Sequence, residues 1–214
     1  MGNKRRPINH SDWNQAHEFL LNKSKTLPLL HKVLKSNGSL EIGKPREPDL
    51  FKFMCRTLTG QQLSTHAARS LWNKVTELCE REQKDLFSIC DGSKTDSLRG
   101  CGLSGNKVMA MERLRKVFLE KVINKEILHD LEDEEVKEKI GEIWGFGPWS
   151  AEMILIGYLG RQDVWSVNDS SLQRGIKLAV KSTEDTEKIV RRFKPYRTLL
   201  ARHIWKGLDE GRLT

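Results

Sequence analysis

Long apolar runs are missing from this chain. A membrane-spanning helix needs about 20 consecutive apolar residues. The longest run here, Met153 to Leu159, is cut by Gly157. No span is expected, and no membrane partner. The N-terminal Met1-Gly2-Asn3-Lys4-Arg5-Arg6-Pro7 lacks the apolar centre of a secretory signal. It also lacks Ser or Thr at position 6, which argues against myristoylation. Cysteine is scarce: Cys55, Cys79, Cys90 and Cys101 are widely spaced, and none forms a CxxC. Such spacing provides neither a zinc nor a disulfide framework, so the four read as buried free thiols in a reducing, intracellular compartment. Period-2 alternation is lacking too, which excludes a sheet. So is any internal repeat or low-complexity segment.

What is present is charge and helical periodicity. Lys and Arg outnumber Asp and Glu by 37 to 29, for a net charge of +8 and a pI near 9.3. A basic excess of this size points to a polyanion, most often nucleic acid; the plainer reading is a charge that only keeps the protein dissolved. The 214 residues suffice for one large or two small domains.

The elements read as all-α, about ten short helices. The first spans 11–34, with Ser11-Asp12 as caps and Pro28 breaking or restarting it. Residues 36–48, rich in Gly, Ser and Pro, make a linker. A long pattern from Asp49 carries Phe51, Met54, Cys55 and Leu58 on one face. Gly60-Gln61-Gln62 interrupts it and Ser64 restarts a helix. Short helical patterns follow at 84–90, at 107–122 after a turn over 98–104, and from Leu131, whose acidic first turn suits the helix dipole. The last two run from Thr183 to Arg192 and from Tyr196 to Gly207.

The chain is organised around 137–177. Gly145-Phe146-Gly147 breaks a helix, and Pro148 begins another, its fixed φ suiting the first helical position. That helix is apolar nearly all round (Ala151, Met153, Ile154, Leu155, Ile156) and should be buried. The two glycines leave backbone N–H groups exposed beside a positive helix end, a grip for a nucleic-acid phosphate; an ordinary helix–helix turn is the alternative. Asp169 precedes another helical pattern, so it is an N-cap or a carboxylate at a pocket edge. Aromatic residues are only 7% of the chain, yet six are Trp. Trp144, Trp149, Trp165 and Trp205 are each a stacking face for a base or a piece of core. Gln61 and Gln62 either enter a duplex or serve the turn.

Taken in order, five segments carry a resemblance. They are R-T-L-T-G-Q-Q-L-S-T-H-A-A, C-G-L-S-G-N-K-V, I-W-G-F-G-P-W-S-A-E-M, L-G-R-Q-D-V-W-S-V-N-D-S-S-L-Q-R-G and K-P-Y-R-T-L-L-A-R-H-I-W. Over about 49–206 the chain resembles the helix-hairpin-helix DNA glycosylase superfamily, and within it the 3-methyladenine DNA glycosylase II (alkylbase) branch. The resemblance implies an all-α fold of two helical subdomains flanking a cleft. Residues 49–168 would form one, with the helix-hairpin-helix at about 137–158; 1–48 and 169–214 would form the other. Asp169 matches the catalytic aspartate. Trp149 stands where strand-cutting members carry a nucleophilic lysine, so a monofunctional enzyme is implied. Trp149, Met153 and Trp205 line the base pocket, and Met153 stands where relatives often have an aromatic. Gln62 falls at the wedge that fills the gap left by a flipped nucleotide. Gly145, Phe146 and Gly147 hold the DNA backbone, with Phe146 bulkier than the usual Val or Ile. Ser166 replaces a common Pro. Neither the iron–sulfur cysteines of one branch nor the extra α/β domain of another has a counterpart.

The implied activity is excision of alkylated purines (3-methyladenine, 7-methylguanine) in base excision repair. The expected partner is double-stranded DNA with a damaged base, met by a monomer in the cytoplasm (nucleoid) or nucleus. No cofactor is expected; a monovalent cation at the hairpin carbonyls is carried over from the family. Two other readings stay open: a glycosylase for deaminated or mismatched bases, and a non-catalytic binder of abasic or distorted DNA.

Overall fold

The computed structural model describes residues 10–43, 45, 47–181 and 185–214. The readings on Met1–Pro7 and Thr183 lie outside the described residues. Among the described residues there are thirteen helices and no strand, in keeping with the all-α expectation. The chain divides into two compact units: Met1–Lys44 with Gly160–Thr214, and Pro45–Leu159.

The terminal unit holds α1 (His10–Lys23), α2 (Pro28–Asn37), α11 (Ser170–Val180), α12 (Thr186–Arg191) and α13 (Arg197–Asp209). Pro28 opens α2 because a first-turn N–H needs no partner. α13 packs on both α11 and α2. The close approach of α11 depends on Gly175, where a Cβ would stand 2.4 Å from Ile204 Cγ2. Trp13, Leu20, Leu30, Leu34, Leu172, Ile176, Phe193 and Leu200 fill the core between them, each large side chain contributing about 1.5–3 kcal/mol of burial.

The division was expected at 49 and 169 but falls at 45 and 160. Residues 160–168 therefore belong with the termini. A set of bonds ties this segment to the start of α13. Arg197 Nε donates to Asp163 Oδ1 at 2.7 Å and its Nη2 to the Asp163 carbonyl at 2.7 Å. Thr198 N–H donates to the Gln162 carbonyl at 2.9 Å, and Val164 N–H donates to Thr198 Oγ1 at 3.0 Å.

The second unit holds α3 (Leu50–Gly60), α4 (Thr65–Glu82), α5 (Leu86–Ile89), α6 (Thr95–Gly100), α7 (Gly105–Leu119), α8 (Lys125–Asp130), α9 (Asp133–Gly141) and α10 (Pro148–Gly157). Asp49, Ser64, Asp85, Ser104 and Asn124 cap α3, α4, α5, α7 and α8 through side-chain oxygens, satisfying first-turn N–H groups that lack a helical acceptor. α6 and α8, six residues each, were not foreseen; α6 overlaps a stretch read as a turn over 98–104. Ala151, Ile154, Leu155 and Ile156 of α10 are buried, as an all-round apolar helix requires. Phe51 meets Phe87 and Phe118 edge-on, at 4.9 and 5.4 Å. Three cysteines are buried and Cys79 half-buried, all as free thiols. Burial, then neighbouring Cys90, pushes Cys79 up to about 11, too high for a reactive thiolate.

One polar pair is sealed in the terminal unit. His203 is fully buried and stacks on His17 at 5.4 Å. Asn37 Nδ2 lies 3.1 Å from His203 Nδ1 and donates to the His203 carbonyl at 3.0 Å. Burial, then the neighbouring His17, pulls the His203 imidazole down to about 3. The folded ring therefore stays neutral where the unfolded ring, near pH 6.5, takes a proton. Its folded value is depressed, so the stability it protects is present above pH 6.5 and is lost as pH falls from there toward 3. The loss is about 1.4 kcal/mol per pH unit. We expect urea midpoints to drop between pH 7 and pH 5, where most carboxylates are still ionised, and the drop to flatten in His203→Phe. An equal pH slope in the variant would assign the loss to other groups.

Candidate functional site

The turn between α9 and α10 is built by close approach. Gly145 has φ +91°, and a Cβ there would stand 2.6 Å from the Ala110 Cβ of α7. Only glycine fits both the conformation and the contact. Phe146 is buried, and its N–H donates to the Ile143 carbonyl at 2.9 Å. That N–H is spent inside the turn, contrary to the expectation that the hairpin leaves its N–H groups exposed. Gly147 brings no side chain to cap α10, so the N-cap position itself adds nothing to the positive dipole end of that helix.

The Gln pair divides its roles. Gln61 Nε2 donates to the Gly145 carbonyl and to Ser150 Oγ, both at 2.9 Å. Gln62 is exposed, in the left-handed region at φ 58°. Lys107 Nζ donates to the carbonyls of Thr59 and Gln61 at 2.8 and 3.0 Å, and burial lowers its pKa. Arg113 sits over the Trp144 ring, 4.5 Å from its centroid. Gln61 as a lock, Lys107, Ala110 and Arg113 were all missed in the sequence. The signal available was the lysine three residues after the helix-capping Ser104.

Asp169 is the N-cap of α11, as its position suggested. Its Oδ1 accepts the Leu172 N–H at 2.6 Å and the Trp205 Nε1–H at 3.4 Å. Asp169 and Trp205 are thus brought together within the terminal unit. Val164, Trp165 and Ser166 are buried ahead of it, while Val167 and Asn168 are exposed. Trp149 and Met153 are both half-buried on α10 in the other unit, one helical turn apart on a shared face. The tryptophans separate: Trp165 is 8% exposed in the core and Trp144 is 41% exposed with Arg113 over its ring, while Trp149 and Trp205 are half-buried.

Among the described residues no cluster of His, Cys, Asp or Glu could hold a metal ion. The hairpin carbonyls of Ile143, Gly145 and Gly147 each accept one hydrogen bond. A half-open hollow of about 360 Å³, lined by Lys52, Trp72, Val75, Cys79 and Leu86 among others, includes none of these site residues.

No protein-family profile matches the chain. Among curated proteins it is 31% identical over 214 residues to the DNA-3-methyladenine glycosylase of Saccharomyces cerevisiae, spanning 92% of this chain and 71% of that protein. The chain belongs to the DNA-3-methyladenine glycosylase family. It is also 29% identical over 204 residues to the alkylbase DNA glycosidase-like protein mag2 of Schizosaccharomyces pombe, spanning 92% of this chain and 94% of that one. A solved structure of the Schizosaccharomyces pombe 3-methyladenine DNA glycosylase Mag1, in complex with abasic DNA, superposes with a TM-score of 0.79 at 23% identity. It covers 94% of this chain and 99% of its own, and shows that the family's fold is shared.

The hairpin geometry makes a prediction that needs no ligand. Gly145→Ala should cost about 2–4 kcal/mol, from the strained φ and the Ala110 clash together. Gly147→Ala, where a Cβ meets nothing within 4 Å, should stay within about 0.5 kcal/mol of wild type. Denaturant unfolding of the pair checks this; equal effects would show that Ala110 gives way.

Proposed function

We propose that this chain is a monofunctional DNA glycosylase that flips an alkylated purine out of duplex DNA and hydrolyses its N-glycosidic bond. The observation that carries this reading is the carboxylate of Asp169, held by Leu172 N–H and Trp205 Nε1–H at a helix start, in a chain of this family. The target base leaves the stack first, which costs a few kcal/mol and least at a damaged pair. As the C1′–N bond breaks, positive charge grows on the sugar. A fixed carboxylate stabilises that charge and orients or deprotonates the attacking water. Alkylation at N3 or N7 makes the base cationic and a good leaving group, so no strong general acid is required. Trp149, Met153 and Trp205 are the proposed base-binding side chains; a cationic base over a desolvated indole gains about 1–2 kcal/mol.

Gln62, exposed and left-handed, is the proposed wedge. The hairpin at Gly145, Phe146 and Gly147, with the uncapped start of α10, is the proposed grip on the DNA backbone. It positions the duplex without reading its sequence. Hydrolysis by water calls for no organic cofactor or iron–sulfur cluster. The monovalent cation at the hairpin would hold the turn's carbonyls in place beside a phosphate. We place the protein as a monomer acting on DNA in a nucleoid or nucleus.

Release of free base from duplexes carrying 3-methyladenine, 7-methylguanine or hypoxanthine tests the reading and ranks the substrates. Asp169→Asn should reduce excision by about 10²-fold or more and leave DNA affinity nearly unchanged. Survival of excision within a few-fold would remove Asp169 from the chemistry. Borohydride should trap no covalent adduct, because Trp149 stands at the lysine position. The second reading, a binder of abasic or distorted DNA, is favoured by one observation: the Asp169 oxygen already serves as a helix cap. Tight abasic-site binding with no base released would establish it.

A further inference from the structure

We propose that Gln61 and Lys107 are positioning residues that fix the reach of Gln62 from the hairpin, with α7 as the spacer between them. The inference rests on the wedge role proposed above for Gln62. Three residues of α7 stand at i, i+3 and i+6, each adjacent on the helix surface to the next: Lys107, Ala110 and Arg113. Lys107 holds the carbonyls of Thr59 and Gln61 at the end of α3. Ala110 is the surface against which Gly145 closes. Arg113 covers Trp144, the residue before Gly145. One helix therefore touches the Gln62 loop and both the start and the turn of the hairpin.

Gln61 closes the circuit from the other side. Its amide donates to the Gly145 carbonyl and to Ser150 on α10, while its own carbonyl is held by Lys107. Gln62 sits between these bonds and Ser64, the cap of α4. A non-glycine residue at φ 58° is strained and persists where neighbours over-determine it. Here the over-determination comes from bonds to the preceding residue, which leave the Gln62 side chain outside them. A wedge works only if its distance from the gripped phosphate is set before the base leaves the stack. Loop and hairpin free to move separately would pay that ordering cost on every encounter. The plainer alternative is that Lys107 only neutralises the orphan carbonyls at a helix end. Stability alone would then change on its removal.

The test uses a duplex with 2-aminopurine beside a stable abasic analogue, whose fluorescence reports unstacking. Lys107→Met and Gln61→Met keep an unbranched stem but remove the donors; Lys107→Arg restores a donor. Thermal unfolding is followed in parallel, at working temperatures well below each midpoint. We expect both Met variants to bind intact duplex within a few-fold of wild type, while losing the fluorescence gain by about tenfold or more. Lys107→Arg should recover most of it. Folded Met variants that unstack the probe as wild type does would overturn the inference. If Gln61→Met does not fold, Gln61→Glu, which turns the donor toward Gly145 into an acceptor, carries the same expectation. A wild-type protein that binds the duplex without unstacking the probe would overturn the wedge reading, and this inference with it. Base release on an alkylated duplex, measured separately, shows whether the proposed enzyme activity stands regardless.

Discussion

The contact between Gly145 and Ala110 is the constraint on which the second unit depends. It lets the α9–α10 turn come to within a side chain's width of α7. With that approach in place the Gly145 carbonyl can meet Gln61, and Trp144 can lie under Arg113. A larger residue at either position would separate the layers and loosen these contacts. The Gly-Phe-Gly sequence is therefore less a flexible loop than a close-packed joint. Phe146 is driven inward and spends its own N–H on the Ile143 carbonyl, inside the turn.

The terminal unit uses a different device for the same purpose. The residues ahead of Asp169 have no helix of their own to hold them. They are tied to the start of α13 by the Arg197–Asp163 pair and by Thr198, which takes one bond from Val164 N–H and gives one to its carbonyl. A two-point Arg–carboxylate contact fixes orientation as well as distance. The same helix carries Trp205 two turns further on, and its indole N–H reaches Asp169. One helix thus fixes the approach to the carboxylate and supplies one of its donors. In the proposed chemistry this matters because a carboxylate must be held in place as charge develops, not recruited afterwards.

The buried histidine stack shows what the terminal unit accepts to reach this density. His17 Nδ1 and His203 Nε2 lie buried without a hydrogen-bond partner among the described residues. Two neutral imidazoles fill the space between α1 and α13 as flat apolar plates. The arrangement holds only while both stay uncharged, so this core tolerates acid less well than a hydrocarbon core would.

Much of this was legible from spacing within single elements. The all-round apolar pattern of α10 declared its burial, Pro148 its start, and Ser64 and Asp169 their caps. Each depends on residues a turn or less apart, where backbone geometry alone decides. The ordered motifs were legible as a resemblance, and with them the family. Other features were decided only by the tertiary structure. Gln61 and Gln62 are identical in type, yet one is locked to a residue 84 positions away and the other is exposed. Asp163 and Arg197 lie 34 positions apart, and their pairing ties the approach to Asp169 to the start of α13. Four tryptophans with equal claims to stack a base were separated into one in the core, one exposed beneath Arg113 and two half-buried. Spacing determines which way a side chain leaves its own helix; what it then meets depends on how the helices pack, and no local pattern carries that.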